Sequence, residues 1–265
     1  MCSGRALSTK GIDSAAGQMR SRALWTAVSF AALVLLWTLA AALIQSRYLP
    51  TPLDVWAAAV QAWRDGELIF NTGVTLARVA ASFLLAMTIG SAIGIFLGRN
   101  RAADRFLDGW LIMALNMPAL VTIVLCYIWF GLNEAAAIGA VAINKIPNVA
   151  VTLREGARAL NTEYQQMADV YRIGRWRTWR HVILPQLDPY FAAAARSGLA
   201  LVWKIVLVVE LLGRSNGVGF QLHLYFQLFD VAGILAYAFT FIVIVQAIEL
   251  LALQPWERYA NRWRP

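Results

Sequence analysis

Residues Val74–Leu97 read VTLARVAASFLLAMTIGSAIGIFL, a run whose only charge is Arg78. A helix needs about 20 apolar residues to cross the hydrocarbon core of a bilayer. The run is continuous, whereas a barrel strand alternates lipid-facing and lumen-facing residues. It therefore predicts a membrane-spanning helix. Five more blocks meet or approach that length: Ala23–Ile44, Leu107–Phe130, Ala135–Leu153, Tyr190–Leu212 and Val231–Leu253. A chain that is 60% hydrophobic and only 14% charged cannot be an ordinary soluble domain. The expected fold is an all-α membrane protein with six transmembrane helices. Residues 1–22 form a polar cytoplasmic tail expected to be disordered, and residues 23–265 form the transmembrane domain. The first block follows Arg20 and Arg22 as a secretory signal would. Its length and the polar tail before it favour an uncleaved anchor.

The net charge of +8 does not mark a nucleic-acid binder, because its distribution is topological. With the N-terminus inside, sixteen of the 23 Lys and Arg fall in inner segments and only Arg47, Arg64 and Arg214 in outer ones. That bias places both termini in the cytoplasm. Cys2 and Cys126 form no disulfide framework. His181 and His223 stand apart from any cysteine, so no zinc site is expected.

Several local features qualify the spans. Leu53–Trp63, entered through Tyr48-Leu49-Pro50-Thr51-Pro52, has helical spacing and two tryptophans, which suits an interfacial helix. Gly90, Gly94 and Gly98 recur every four residues, so they mark a close packing face, within the chain or against a second copy. Prolines interrupt span three at Asn116-Met117-Pro118 and span four at Lys145-Ile146-Pro147-Asn148. Each removes a donor and frees a carbonyl. Freed carbonyls are tolerated in a bilayer only against protein or a watery cavity, so Asn116, Lys145 and Asn148 become candidate path residues. Lys204 joins them, since a charge at mid-bilayer costs about 2.5–3.5 kcal/mol and seeks a cavity or a partner. Two readings stay open for these lysines. They line a path for an anionic solute, or they are paired, Lys204 with Glu210 and Lys145 with carbonyls freed by Pro147.

Between spans four and five lies a polar segment, residues 155–185, ending Val182-Ile183-Leu184-Pro185. Asn161 or Thr162 caps a helix that stops near Gly174, and a basic, aromatic segment follows. Together they read as a helix–turn–helix on the inner surface, with its turn at Ile173–Arg175 pointing to the cytoplasm.

That ending, with Leu49-Pro50-Thr51-Pro52, Leu76-Ala77-Arg78-Val79, Trp129-Phe130-Gly131, Val209-Glu210-Leu211-Leu212-Gly213 and Gly217-Val218-Gly219, resembles the transmembrane subunits of binding-protein-dependent ABC importers, in the sulfonate, taurine and nitrate branch. The resemblance implies a permease of the type I ABC importer (MetI-like) kind in a bacterial inner membrane. It implies ABC ATPase partners that carry ATP and magnesium, an external substrate-binding protein, and a second permease copy, expected to form a homodimer. No cofactor would be bound by this chain, which is not an enzyme. The family's coupling motif maps its Glu to Gln166, its second Ala to Ala168 and its Gly to Arg172, with Leu184 and Pro185 closing it. Gly174 stands two residues past the expected glycine, and Asp169 is the acid placed to replace the missing Glu. Ile173 and Arg175 complete the expected ATPase-coupling set. No Gly-x-x-x-x-Gly-Lys-Ser/Thr phosphate loop occurs, so ATP hydrolysis belongs to another chain. The alternatives are a membrane enzyme, for which no nucleophile–base or metal set is visible, and a secondary transporter or channel, for which inverted repeats and relay acids are wanting.

Overall fold

A computed structural model describes residues 9–46 and 48–261, and among them there is no strand. The chain opens with α1 (Thr9–Ile44), α2 (Pro52–Arg64), α3 (Glu67–Arg99) and α4 (Arg101–Leu115). It continues through α5 (Ala119–Phe130), α6 (Glu134–Arg158), α7 (Thr162–Val170) and α8 (Arg175–Thr178). The last elements are α9 (Leu184–Gly213), α10 (Val218–Gln227), α11 (Val231–Ile248) and α12 (Gln254–Asn261). Of the segment expected to be a disordered tail, residues 1–8 lie outside the described residues. From Thr9 the chain is helical, in keeping with good helix formers such as Ala15, Ala16 and Gln18.

Among the described residues four helices are long and apolar enough to cross a membrane: Glu67–Arg99, Glu134–Arg158, Arg175–Gly213 and Val231–Tyr259. A broken pair, α4 with α5, gives a fifth, and α1 supplies the shorter apolar stretch Val28–Ile44. The block expected as one span over Leu107–Phe130 is built from α4 and α5 rather than from one continuous helix. The pair is bent by 94° at Asn116-Met117-Pro118. Pro118 lacks a donor and forces Met117 out of the helical region, so the chain restarts with Pro118 as the N-cap of α5. Pro147 behaves differently: it is buried inside an unbroken α6.

The central feature is the pairing of α3 with α6, which run parallel. A methyl group added to Gly90 would meet the Val149 side chain at 2.7 Å, and one on Gly94 the Ala150 carbonyl at 2.4 Å. At Gly98 it would meet Ala157 and the Arg154 carbonyl at 2.6 Å. The glycine row is therefore the seam on which α6 lies within the same chain, where small residues allow close backbone approach. α9 closes this core, burying Val202, Val206 and Val209 against Ile123, Ala137 and Val141.

Helix α2 covers the short segment Leu53–Trp63, expected to be helical. Thr51 and Asp54 form a capping box, and Trp56 and Trp63 remain exposed. The Thr51 hydroxyl and amide hold the Asp54 carboxyl below its usual range.

Two π-helical turns, Trp179–Ile183 and Glu249–Leu253, share one cause. Each is followed, one residue on, by a proline, Pro185 or Pro255. The Leu184 and Gln254 amides bond back five residues, to Trp179 and Glu249. The wider turn gives room where a proline ring would otherwise strike a carbonyl. The helix thus continues from Arg175 to Gly213 without a break.

Candidate functional site

The two ends of the bundle carry the polar chemistry. At one end α6 stops at Arg158 and the polar loop begins. Asn161 caps α7 by accepting from the Glu163 amide at 2.8 Å, and its own amide donates to Gln186 Oε1 at 2.9 Å. Beneath the loop Ala157, Leu160, Ile183 and Leu187 form a small core with Ile95 and Trp179. The loop is thereby fixed to the ends of α3, α6 and α9.

Helix α7 ends in a Schellman turn. The Ile173 amide donates to the Ala168 carbonyl at 2.8 Å and the Arg172 amide to the Asp169 carbonyl at 3.0 Å. Arg172 sits at the left-handed position, φ 50°, which glycine normally occupies. Gly174, with φ −56°, only caps α8. The turn therefore stays at the position to which the motif glycine was mapped, and Gly174 does not replace it. Ala168 is fully buried, whereas Gln166 is exposed. Asp169, Ile173 and Arg175 come together around a cavity of about 400 Å³ that Arg99 also lines. Leu184 is half-buried and Pro185 exposed at the start of α9. The loop also displays Val170 at 79%, Tyr171 at 74% and Trp176 at 73% exposure, with Tyr164 and Met167 beside them. Large apolar side chains left exposed on a polar loop are groups that a partner surface can cover.

Next to the loop, Arg154 donates to Asp108 at 2.6 Å and to Asp104 at 3.2 Å. Arg158 reaches Asp104 and Glu155. This network fastens the start of α4 to the end of α6.

The opposite end holds a charge network, centred on the buried Arg78 and Glu210, that sequence reading missed. Arg78 grips Glu134 with two bonds, at 2.8 and 2.6 Å, and donates to Glu210 Oε1 at 2.8 Å. It also donates to the carbonyl of Asn216. Glu210, wholly buried, accepts from Thr75 at 2.9 Å and from the Gly219 amide at 2.8 Å. Arg214 adds a second cation on Glu134 at 2.5 Å. Two arginines thus meet two carboxylates, and every unit of charge has an opposite beside it. The glycine-rich turn Gly213–Gly219 serves this network. The amides of Gly217 and Val218 donate to Asn71 and Thr75, and a side chain at Gly217 (φ 107°) would strike the Glu210 carboxylate. The available signal was one acid and one base near the same ends of two apolar blocks.

The candidate path residues are not gathered together. Asn116 caps α4 at the 94° break, bonded to the Ile112 carbonyl at 2.8 Å. Asn148 is exposed on α6. Lys204 is exposed on α9, where its ammonium lies 5.5 Å from the Trp203 ring and lines a small groove with Arg196, Gln246 and Glu249. The considered Lys204–Glu210 pair is not formed, because Arg78 takes that carboxylate. Lys145 is only 2% exposed, its stem packed beside Gly198 and Phe83. Among the described residues its ammonium has no hydrogen-bond or ion-pair partner, the carbonyls near Pro147 included. Nor does any group of three or more His, Cys, Asp or Glu come together there to hold a metal ion.

Comparison with known proteins gives a consistent picture. The family model described as binding-protein-dependent transport system inner membrane component matches residues 86–254. A Bacillus subtilis protein named as a candidate aliphatic sulfonates transport permease is 28% identical over 194 residues, covering 72% of this chain and 70% of that one. The taurine transport system permease of Escherichia coli is 25% identical over 233 residues, covering 86% and 84%. Among solved structures, the inward-facing MetNI methionine ABC transporter superposes with a TM-score of 0.59 at 17% identity, covering 71% of this chain and 92% of that one. At that identity the likeness concerns the fold.

Proposed function

The chain belongs to the binding-protein-dependent transport system inner membrane components, multi-pass subunits of ATP-driven importers, and on that premise we propose that its 155–185 loop is the cytoplasmic docking element for a separate ATPase. Membership sets aside the secondary-transporter and channel alternatives. The observation that carries the docking reading is the exposure of Val170, Tyr171 and Trp176 on a loop whose base is packed and capped. Desolvating those side chains requires a partner surface. From the loop, the unbroken helix Arg175–Gly213 runs to the buried Glu210 network. Its 39 residues make a rod of roughly 58 Å. A displacement at the loop is thereby delivered to the far end of the bundle. In this reading ATP and magnesium stay on the ATPase, both termini face the cytoplasm, and a second copy of this chain completes the pathway for solute handed over by an external binding protein.

Asp169 supplies the charge that Gln166 cannot. It lines the cavity under the turn with Ile173 and Arg175, and Gln166 does not. In ATP-dependent uptake by the assembled importer, Asp169→Asn lowers transport more than Gln166→Ala; equal, normal uptake in both would defeat the assignment.

The solute proposed is a small anion. The relatives are named for sulfonates and taurine, whose shared group is a sulfonate oxyanion. Lys145, enclosed and without a partner, is the residue here suited to meet such a group during passage. Lys145→Met should reduce uptake of the anionic solute without loss of folded protein in the membrane. Unchanged uptake would remove Lys145 from the path.

A further inference from the structure

Arg99, the last residue of α3, stands where three concavities meet. The first, about 720 Å³, lies between the ends of α3 and α6 and the starts of α4 and α7, and Arg99, Arg101, Arg105 and Arg158 line it. The second, about 470 Å³, is an apolar groove along the last two turns of α3, walled by Ala92, Ile95, Phe96 and Trp179. The third is the cavity under the loop turn. The charges around the first do not cancel. Arg158 is satisfied by Asp104 and Glu155, and Asp104 is shared with Arg154. Arg99, Arg101 and Arg105 have no acid partner among the described residues. Three unpaired guanidinium groups therefore border one cavity, and an apolar groove leads from it along the membrane-spanning helix.

A ligand that satisfies both halves has a phosphate-bearing head and a hydrocarbon tail. We propose that this is a binding site for an anionic phospholipid. The phosphate lies among Arg99, Arg101 and Arg105, and an acyl chain lies along Ala92, Phe96 and Trp179. Basic pockets at the cytoplasmic ends of spanning helices bind such head groups through charge. A free phosphate or nucleotide would use the basic cavity but has nothing to place in the groove. The site touches both the end of α3 and Trp179 in the π turn, so a bound lipid would brace the base of the docking loop against the span. The inner-leaflet assignment rests on the orientation proposed above, but the binding itself does not.

The test uses the full chain purified in detergent without an ATPase, which keeps it independent of the docking proposal. Phosphatidylglycerol and phosphatidylcholine of matched acyl chains, glycerol phosphate and inorganic phosphate are titrated, and bound species are counted by native mass spectrometry. Phosphatidylglycerol should be retained over phosphatidylcholine, and its affinity should fall roughly fivefold for each arginine removed in the series Arg99→Gln, Arg101→Gln, Arg105→Gln. Trp179→Ala should weaken it too, while Arg64→Gln, an interfacial arginine on α2, should not. Unchanged circular dichroism and thermal midpoint identify folded variants; should the triple variant fail there, the single variants still carry the arginine test. Equal retention of the two lipids, or indifference to the arginines, overturns the proposal. Binding of inorganic phosphate or glycerol phosphate as strongly as the lipid overturns its apolar half.

Discussion

The two ends of this bundle treat charge in opposite ways. At the Glu210 end, two arginines and two carboxylates are folded into one another, and backbone amides of the glycine turn complete the set. At the loop end, three arginines have no acid partner among the described residues, and the apolar side chains of residues 170, 171 and 176 are exposed. A buried charge left without a partner costs several kcal/mol, so the first arrangement is an obligation of folding. Exposed, unsatisfied groups cost little in the isolated chain and gain their value on association. The contrast separates a part of the molecule that holds itself together from a part that waits for something else.

The contrast is broken most severely by opening the closed end. Arg78→Met leaves Glu134 and Glu210 facing each other's surroundings without their shared cation, a loss of about 3–5 kcal/mol. The thermal midpoint of the detergent-solubilised chain should collapse, and Arg78→Met/Glu210→Gln should be less damaged than Arg78→Met alone. A double variant as damaged as the sum of its parts would show that the pair acts separately. The smallest effect is expected at the open end and has the opposite sign. Arg172 occupies a left-handed position that disfavours a side chain by about 1 kcal/mol, so Arg172→Gly should stabilise the chain slightly. A fall in midpoint would mean that the arginine side chain makes a stabilising contact that offsets its backbone strain.

Much of this was legible in the sequence. Long apolar blocks announce spanning helices by length alone, and the four-residue glycine rhythm marked a close packing face, while the fold shows that α6 is the helix lying on it. Two prolines looked alike and behaved differently, for a reason that local sequence does not carry. Pro147 lies in a helix clamped along its length by α3, so packing keeps the helix intact. Helix α4 buries no residue, so nothing opposes the break at Pro118. The Arg78–Glu210 pair joins residues 132 apart in the chain, and in one sequence neither names its partner. The motif glycine appeared displaced to Gly174, but the turn follows backbone geometry and remains at Arg172. Lys145 was singled out as a charge within a span, and only the fold shows that it lacks a partner.

The account depends most on the claim that the exposed apolar side chains of the loop belong to a docking surface. The direct measurement is affinity between the purified chain in nanodiscs and its cognate ATPase subunit, for the wild type and for Val170→Ser/Tyr171→Ser/Trp176→Ser. All three side chains are exposed, so the variant should retain its thermal midpoint. Its ATPase affinity should fall by roughly a hundredfold, as expected when aromatic anchors are removed from an interface. Undiminished affinity in a folded variant would contradict the docking role of this loop.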